Sequence, residues 1–558
     1  MMRLLTLLLL CLAIGMGSFL LTEHPAPDIE LVDYLPEDTL LYMEVAHPAH
    51  PGEQWRFNRD EKAIPATTWY KILQQAGGSS TLIAETRQMV AAGEAFANHP
   101  IVSSLLGHGA AFALLPEPAR QTEFSLFRQW MVAVRINDDR AAQRFGEVFA
   151  RPRSRQPVSY QGETFWCLIV DDGREFFYWQ HRDVVLVACE QTLIRRCIDL
   201  NLQRMTRKGA TLSMNRAYLR LRQLNKGQAD IFCYIDFEGL CRRVPLAQAI
   251  KTESGGLLPP CLAFRYRAAP DANLLELSAL VNPASTAAFL ARHALPAPVR
   301  QPPMMDPPPP EVKFALWTNW FKPKYLWDFV GQKVGDDVSA LMASVGQQLS
   351  EATGKSLDDF FDVFGEEFGV MITEQQMEHQ SSRFMGGLLV ALHDRPAVTA
   401  MIEQMVAGLQ VIKARSDDLE IDSVILAGGL LQPAYALLER HLILADSMEL
   451  VEAARRHLMR DNIDSRQSKA PDHGGGLCNL SLFLRVGEMA ERLMPLLTLL
   501  VKETGERGQI LSYESRQFIQ EVGLPLLATL NKVATGRFQG YMGEDTLWMK
   551  VEYTPRGD

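Results

Sequence analysis

Leu389-Val-Ala-Leu-His-Asp394 is the stretch on which the fold turns. It is an apolar run of strand length that ends at an acid. Apolar residues at helical spacing follow over 398–406. The pattern predicts a buried strand closing at Asp394, whose carboxylate caps the next helix. The same order stands 256 residues earlier, counted from Asp138 to Asp394: Val132-Ala-Val-Arg-Ile-Asn-Asp138 precedes a helical pattern over 140–149.

Three more pairs of elements keep that order. Val184-Val-Leu-Val-Ala188 runs into a helix through Cys197, and Leu442-Ile-Leu-Ala445 into a helix through His457, at an offset of 257 from Ala188 to Ala445. Ile231-Phe-Cys-Tyr-Ile-Asp236 and Leu480-Ser-Leu-Phe-Leu484 are each a strand leading into a helix. Each half then closes on a strand ending in proline, at Pro283 and Pro555, an offset of 272. Element order held at a drifting offset predicts an internal repeat. Between the halves, residues 296–310 read PAPVRQPPMMDPPPP, an extended and semi-rigid spacer. The alternation in Leu547-Trp-Met-Lys-Val-Glu-Tyr553 suits an antiparallel strand with one covered face. The expected fold is therefore α+β. Two related halves, residues 31–295 and 311–555, each pack a mainly antiparallel sheet against helices such as those over 338–354 and 486–501.

Before the first half, residues 4–21 read LLTLLLLCLAIGMGSFLL without a charge. As a helix they span roughly 27 Å, close to the roughly 30 Å hydrocarbon core of a bilayer. Arg3 precedes the run, and Glu23, Asp28 and Glu30 follow it, which keeps the N-terminus inside and sends the body across. Residues 1–22 are thus a signal-anchor or a cleavable signal peptide. Ala13-Ile14-Gly15 and Gly15-Met16-Gly17 offer small residues for cleavage, whereas Phe19-Leu20-Leu21 resumes the apolar run and favours retention. A lipid anchor on Cys11 is disfavoured by Leu10 before it. The expected location is a single-pass inner-membrane protein with its body in the periplasm or otherwise outside the cytoplasm, or a secreted protein after cleavage. No later apolar run, including residues 424–431 and 494–501, is long enough to span.

The 558 residues are 47% hydrophobic and 22% charged, a globular composition rather than a disordered or polytopic one. A net charge of −10 argues against nonspecific nucleic-acid binding, which needs a positive surface to displace counterions. Arg151-Pro-Arg-Ser-Arg155 is a solvated loop, too short to reverse this.

No chemical motif emerges. The sequence lacks Cys-x-x-Cys, His-Glu-x-x-His, a Gly-x-Ser-x-Gly elbow, Gly-x-Gly-x-x-Gly and a phosphate-binding loop. No catalytic, cofactor-binding or metal-binding residue is assigned, and no cofactor is expected. Gly474-Gly-Gly476 reads as a loop. Asp358, Asp359, Asp362, Glu366 and Glu367 form an acidic cluster, but Leu357, Phe360, Phe361 and Phe364 interleave at helical spacing. That is a short amphipathic helix capped by Ser356 and ended near Gly365, not a calcium loop. Eight cysteines are present; the seven beyond Cys11 are either buried thiols or partners in disulfides whose pairing spacing does not define. The 22 methionines suit core filling or an adaptable apolar surface.

Tyr34-Leu-Pro-Glu-Asp-Thr-Leu-Leu-Tyr-Met-Glu-Val45 resembles the opening of a bacterial family of exported proteins, a domain of unknown function that begins on a Leu-Pro-x-Asp strand. The resemblance extends through the two strand-to-helix junctions above and Gly354-Lys-Ser-Leu-Asp-Asp359. It implies location and architecture, and carries no catalytic residues. The first reading is a noncatalytic, exported and membrane-tethered envelope protein that acts by binding or assembly, its partners the membrane, through the N-terminal segment, and envelope proteins or an apolar ligand. A second is a carrier or sensor of an apolar ligand such as a lipid, since a sheet covered by helices encloses apolar pockets. A third is an enzyme whose site is assembled from distant residues; a cleft with converging histidine and carboxylate groups would mark it.

Overall fold

The computed structural model describes residues 30–45, 109–116, 130–135, 155–169, 175–205, 210–225, 229–243, 259–267, 272–282, 311–320, 322–325, 327–328, 336–376, 382–416, 419–429, 431–458, 478–507, 519–543 and 545–556. The apolar segment 4–21, the helical pattern 140–149, the spacer 296–310 and the loop 474–476 lie outside them. Among the described residues no helix is long and apolar enough to cross a membrane.

The protein is α+β, and its sheets are antiparallel. Two compact units divide at Asn282 and Pro283; residues 497–529 group with the first. The first unit holds strands β1 (Leu41–Val45), β2 (Ala110–Leu114), β3 (Trp130–Arg135), β4 (Arg155–Tyr160), β5 (Glu163–Ile169), β6 (Glu175–His181), β7 (Val184–Ala188), β8 (Ile231–Asp236), β9 (Cys261–Arg267) and β10 (Asn273–Leu280). Their hydrogen-bonded order is β4-β5-β6-β7-β3-β2-β1-β8-β9-β10. The second unit holds β11 (Val312–Thr318), β12 (Phe364–Gln376), β13 (Ser382–Leu392), β14 (Gln410–Ser416), β15 (Leu419–Ile425), β16 (Ala434–Leu437), β17 (His441–Ala445), β18 (Leu480–Leu484), β19 (Val533–Met542) and β20 (Thr546–Pro555). Their order is β14-β15-β16-β17-β13-β12-β11-β18-β19-β20, the same with every number raised by ten.

The registers also agree. Ala188 ends β7 and pairs with Met131 on one side and Phe177 on the other. Ala445 ends β17 and pairs with Gly387 and Ala434. From each alanine the chain takes two residues to reach a helix, Gln191–Met205 in the first unit and Met448–Leu458 in the second. The hairpins β4–β5 and β14–β15 both close on pairs three residues apart, Tyr160 with Glu163 and Ser416 with Leu419.

Period-two alternation sorts each sheet into two apolar faces. In the first unit, Met131, Ala133, Phe165, Trp179 and Leu186 pack with Ile194, Cys197 and Ile198 of the Gln191–Met205 helix. The opposite face carries Leu41, Met43, Phe112, Leu114 and Ile235, with Trp130 and Val132 against them. In the second unit, Trp317, Met371, Leu389, Ile421 and Ile443 pack with Leu450, Val451 and Ala454 of the Met448–Leu458 helix. The other face groups Phe364, Phe368, Val390 and Leu442 with Val398 and Met401 of the Arg395–Val406 helix.

The caps expected at Asp394 and Ser356 form, and Asp138 lies outside the described residues. Asp394 Oδ1 accepts from the Ala397 N–H at 3.0 Å, and Pro396 sits in the first turn of the helix it opens. Ser356 Oγ accepts from the Asp359 N–H at 3.2 Å. The helix beyond Ser356 is shorter than its pattern: it spans Leu357–Asp362, and Phe364 and Gly365 open β12 instead. Gly365 is there for room, since a Cβ on it would lie 3.1 Å from the Ala391 Cβ across the sheet. β13 begins well before Leu389, because Gly386-Gly387 interrupts the apolar pattern without interrupting the pairing.

The seven cysteines beyond Cys11 are free thiols. Burial pushes Cys197 and Cys261 up to about 12. It does the same to Cys189, whose Sγ donates to the Trp130 carbonyl oxygen at 3.3 Å. Because the thiolate is the reacting species, a disulfide-based thiol reagent at neutral pH should find at most Cys11 in the folded chain and the other seven only in denaturant. Rapid reaction of several thiols in the native protein would contradict this packing.

Candidate functional site

The Gly386-Gly387 pair explains a cavity in the second unit. Alternation along β13 sends Phe384, Leu388 and Val390 to Gly386's face, and Met385 and Leu389 to that of Gly387. Gly387 lies under the Met448–Leu458 helix, where a Cβ would already touch Ala454 and Leu450 at 3.5 Å. Its small size lets helix and sheet approach. Gly386 faces the other way, and a Cβ on it would meet only Asp446 Oδ2, at 3.8 Å. The missing side chain leaves the sheet open at that point.

Over that opening lies an apolar groove of about 640 Å³. Its floor is cross-strand pairs: Val370 with Leu388, Leu388 with Leu444, and Leu444 with Tyr435. Its roof is Met401, Ile402 and Met405 of the Arg395–Val406 helix, with Leu349 of the Asp336–Thr353 helix and Phe360. A second cavity of about 390 Å³ shares Phe360, Phe364, Leu388 and Leu442 with it and extends toward Trp327 and Met342. Met405, Leu409 and Leu444 line the groove and are exposed, so its rim is apolar as well.

The lining offers almost no polar chemistry. Asp446 is its one charged residue, and Asp446 Oδ2 accepts from the Gly386 N–H at 2.7 Å. Burial, helped by Asp422, pushes the Tyr435 phenol up to about 12, so it stays neutral at physiological pH. Small-ligand sites are typically pockets of roughly 300–1,000 Å³ lined mainly by apolar side chains.

Titratable clusters lie elsewhere. On the sheet face under the Met448–Leu458 helix, Glu367 accepts from Trp317 Nε1 at 2.8 Å and lies 3.3 Å from His441 Nε2. Burial pushes the Glu367 carboxyl up, but the hydrogen bonds from His441 and Trp317 outweigh it and hold the group below the ordinary glutamate value of 4.5. A carboxyl depressed on folding contributes stability above its unfolded pKa and loses it as pH falls through the folded one. Acid unfolding should therefore steepen below about 4.5 in the native protein, and Glu367→Gln should flatten that limb in a pH series of urea melts. An unchanged limb would remove Glu367 from the account. In the first unit, Tyr34 Oη lies 3.1 Å from His181 Nδ1, Asn201 Nδ2 lies 3.5 Å from His181 Nε2, and the Trp179 ring stacks on His181 at 5.3 Å. Neither histidine lines the groove. Among the described residues no group of three or more histidine, cysteine, aspartate or glutamate side chains is arranged to hold a metal ion.

The sequence named no site residue, and the groove residues went unread because nearly all, Asp446 and Tyr435 apart, are ordinary apolar or small residues. The available signals were the paired glycines inside a strand and Met401 and Met405 near the end of a helix.

No protein-family model and no curated protein matches the chain. Solved structures that it resembles include crystal form III of TP0453, at 8% identity and a TM-score of 0.22, covering 49% of this chain and 90% of that one. Crystal form I of TP0453 gives 10% identity and a TM-score of 0.20, covering 49% and 88%. Likeness at this level does not equate the folds.

Proposed function

We propose that this is an exported, membrane-tethered, noncatalytic binding protein of two related α+β halves, whose second half holds the hydrocarbon chain of a lipid. The observation that carries the ligand assignment is the groove over Gly386, apolar in floor, roof and rim. An extended peptide laid there would bring backbone N–H and C=O groups for which the lining offers few partners, which is unfavourable against an apolar surface. A hydrocarbon chain brings none, and its polar head remains outside. Methionine roof residues adapt to slender apolar shapes.

Shared strand order and register support the kinship of the halves, and the uncharged run 4–21 with its flanking charges supports export and tethering. A body held at a membrane lies beside a reservoir of such chains. Organic extraction of the purified full chain, with mass spectrometry of the extract, should recover lipid in defined proportion to protein. The delipidated chain should then bind a fluorescent long-chain fatty acid saturably. A lipid-free chain that also fails to bind the probe would overturn the proposal.

A further inference from the structure

The two units carry different residues at the position that opens the groove. Ala188 and Ala445 anchor the comparison: Met131 and Gly387 are their partners on one side, Phe177 and Ala434 on the other. One residue earlier on each partner strand, Gly386 corresponds to Trp130 and Pro433 to Phe176. A further contact keeps the same places. The residue after each anchor alanine reaches back to the neighbouring strand, Cys189 to the Trp130 carbonyl and Asp446 to the Gly386 N–H. Trp130 points away from the Gln191–Met205 helix and packs with the opposite apolar face, as Gly386 faces away from the Met448–Leu458 helix. Its ring centroid lies 5.8 Å from that of Phe176. Two aromatic rings thus cover, in the first unit, the patch of sheet that glycine and proline leave bare in the second.

We propose that the two halves divide the work: the second binds the lipid chain because of Gly386 and Pro433, while Trp130 and Phe176 plug the matching place in the first. This rests on the reading of the groove as a hydrocarbon site. Gly386 is then the residue that sets whether a half binds. Its backbone is outside the left-handed region and its missing Cβ has space, so a larger side chain enters without backbone strain.

The test uses the delipidated full chain and a fluorescent long-chain fatty acid, with stoichiometry read by native mass spectrometry. Wild type should bind one equivalent. Gly386→Trp, which transplants the first half's residue, should lose binding at least tenfold with an unchanged melting temperature. Gly386→Ala should retain it, and Gly386→Leu should fall between; that graded series carries the test should the tryptophan variant misfold. Binding by wild type that Gly386→Trp and Gly386→Leu leave intact would overturn the division of work while leaving a lipid-binding function in place. So would two equivalents in wild type with one surviving in Gly386→Trp. No binding by wild type would remove the functional reading itself, and this inference with it.

Discussion

Trp317→Ala is expected to destabilise the second half by about 3–5 kcal/mol, the usual range for deleting a buried aromatic side chain. Trp317 lies on β11, which pairs with β12 and β18, and is 1% exposed. The substitution removes its contacts with the core under the Met448–Leu458 helix and takes from Glu367 the indole N–H donor at 2.8 Å. Trp317→Phe keeps part of the packing but gives up ring volume and the donor to a carboxylate, so its effect should be about 2 kcal/mol, smaller than that of the alanine variant. Urea unfolding followed by circular dichroism reads both as midpoint shifts. A loss below 1 kcal/mol for the alanine variant would mean that this core is not where the second half is held together.

The second large effect concerns binding. Leu388 sits on the groove floor, half-buried, between Val370 and Leu444. Leu388→Glu places a carboxylate among apolar residues, where the one charged neighbour in the lining, Asp446, is also negative. An unpaired charge is strongly disfavoured in such a site. Fatty-acid binding should fall at least a hundredfold, about 2.8 kcal/mol. Leu388→Met, which conserves volume, should bind within a fewfold of wild type. Probe fluorescence titration separates the two, and equal binding by the glutamate variant would exclude this floor from the site.

What the sequence carried depended on how local each signal was. Strand and helix junctions at Asp394 and Ser356 were legible because one side chain and the spacing behind it suffice to cap a helix. β7 and β8 were legible because they are continuous apolar runs between polar turns. β12 was missed because Phe364 continues the helical spacing of Phe360 and Phe361; the switch to a strand comes from pairing with β11 and β13, partners distant in sequence. β13 was read short because two glycines look like a loop, and their value to the fold exists only across the sheet, against Leu450 and Ala454 on one side and the groove on the other. The same holds for the site. A concave apolar surface has no motif; it is a difference between side chains present and absent, and Gly386 gains meaning only by comparison with Trp130 at the corresponding place in the first unit. The acidic cluster shows the converse. Its carboxylates are spaced by a helix and then a strand, and among them Glu367 finds its partners in Trp317 and His441.

Photolabelling would locate the lipid chain that we propose lies in the groove of the second half. The delipidated full chain would be irradiated with a diazirine-bearing long-chain fatty acid, digested, and the labelled peptides mapped by mass spectrometry. Labels are expected in β12, β13 and the Arg395–Val406 helix, centred on Leu388, Met401 and Met405, and competed away by unlabelled fatty acid. Competable labels confined to residues 30–282, or none at all, would contradict this placement.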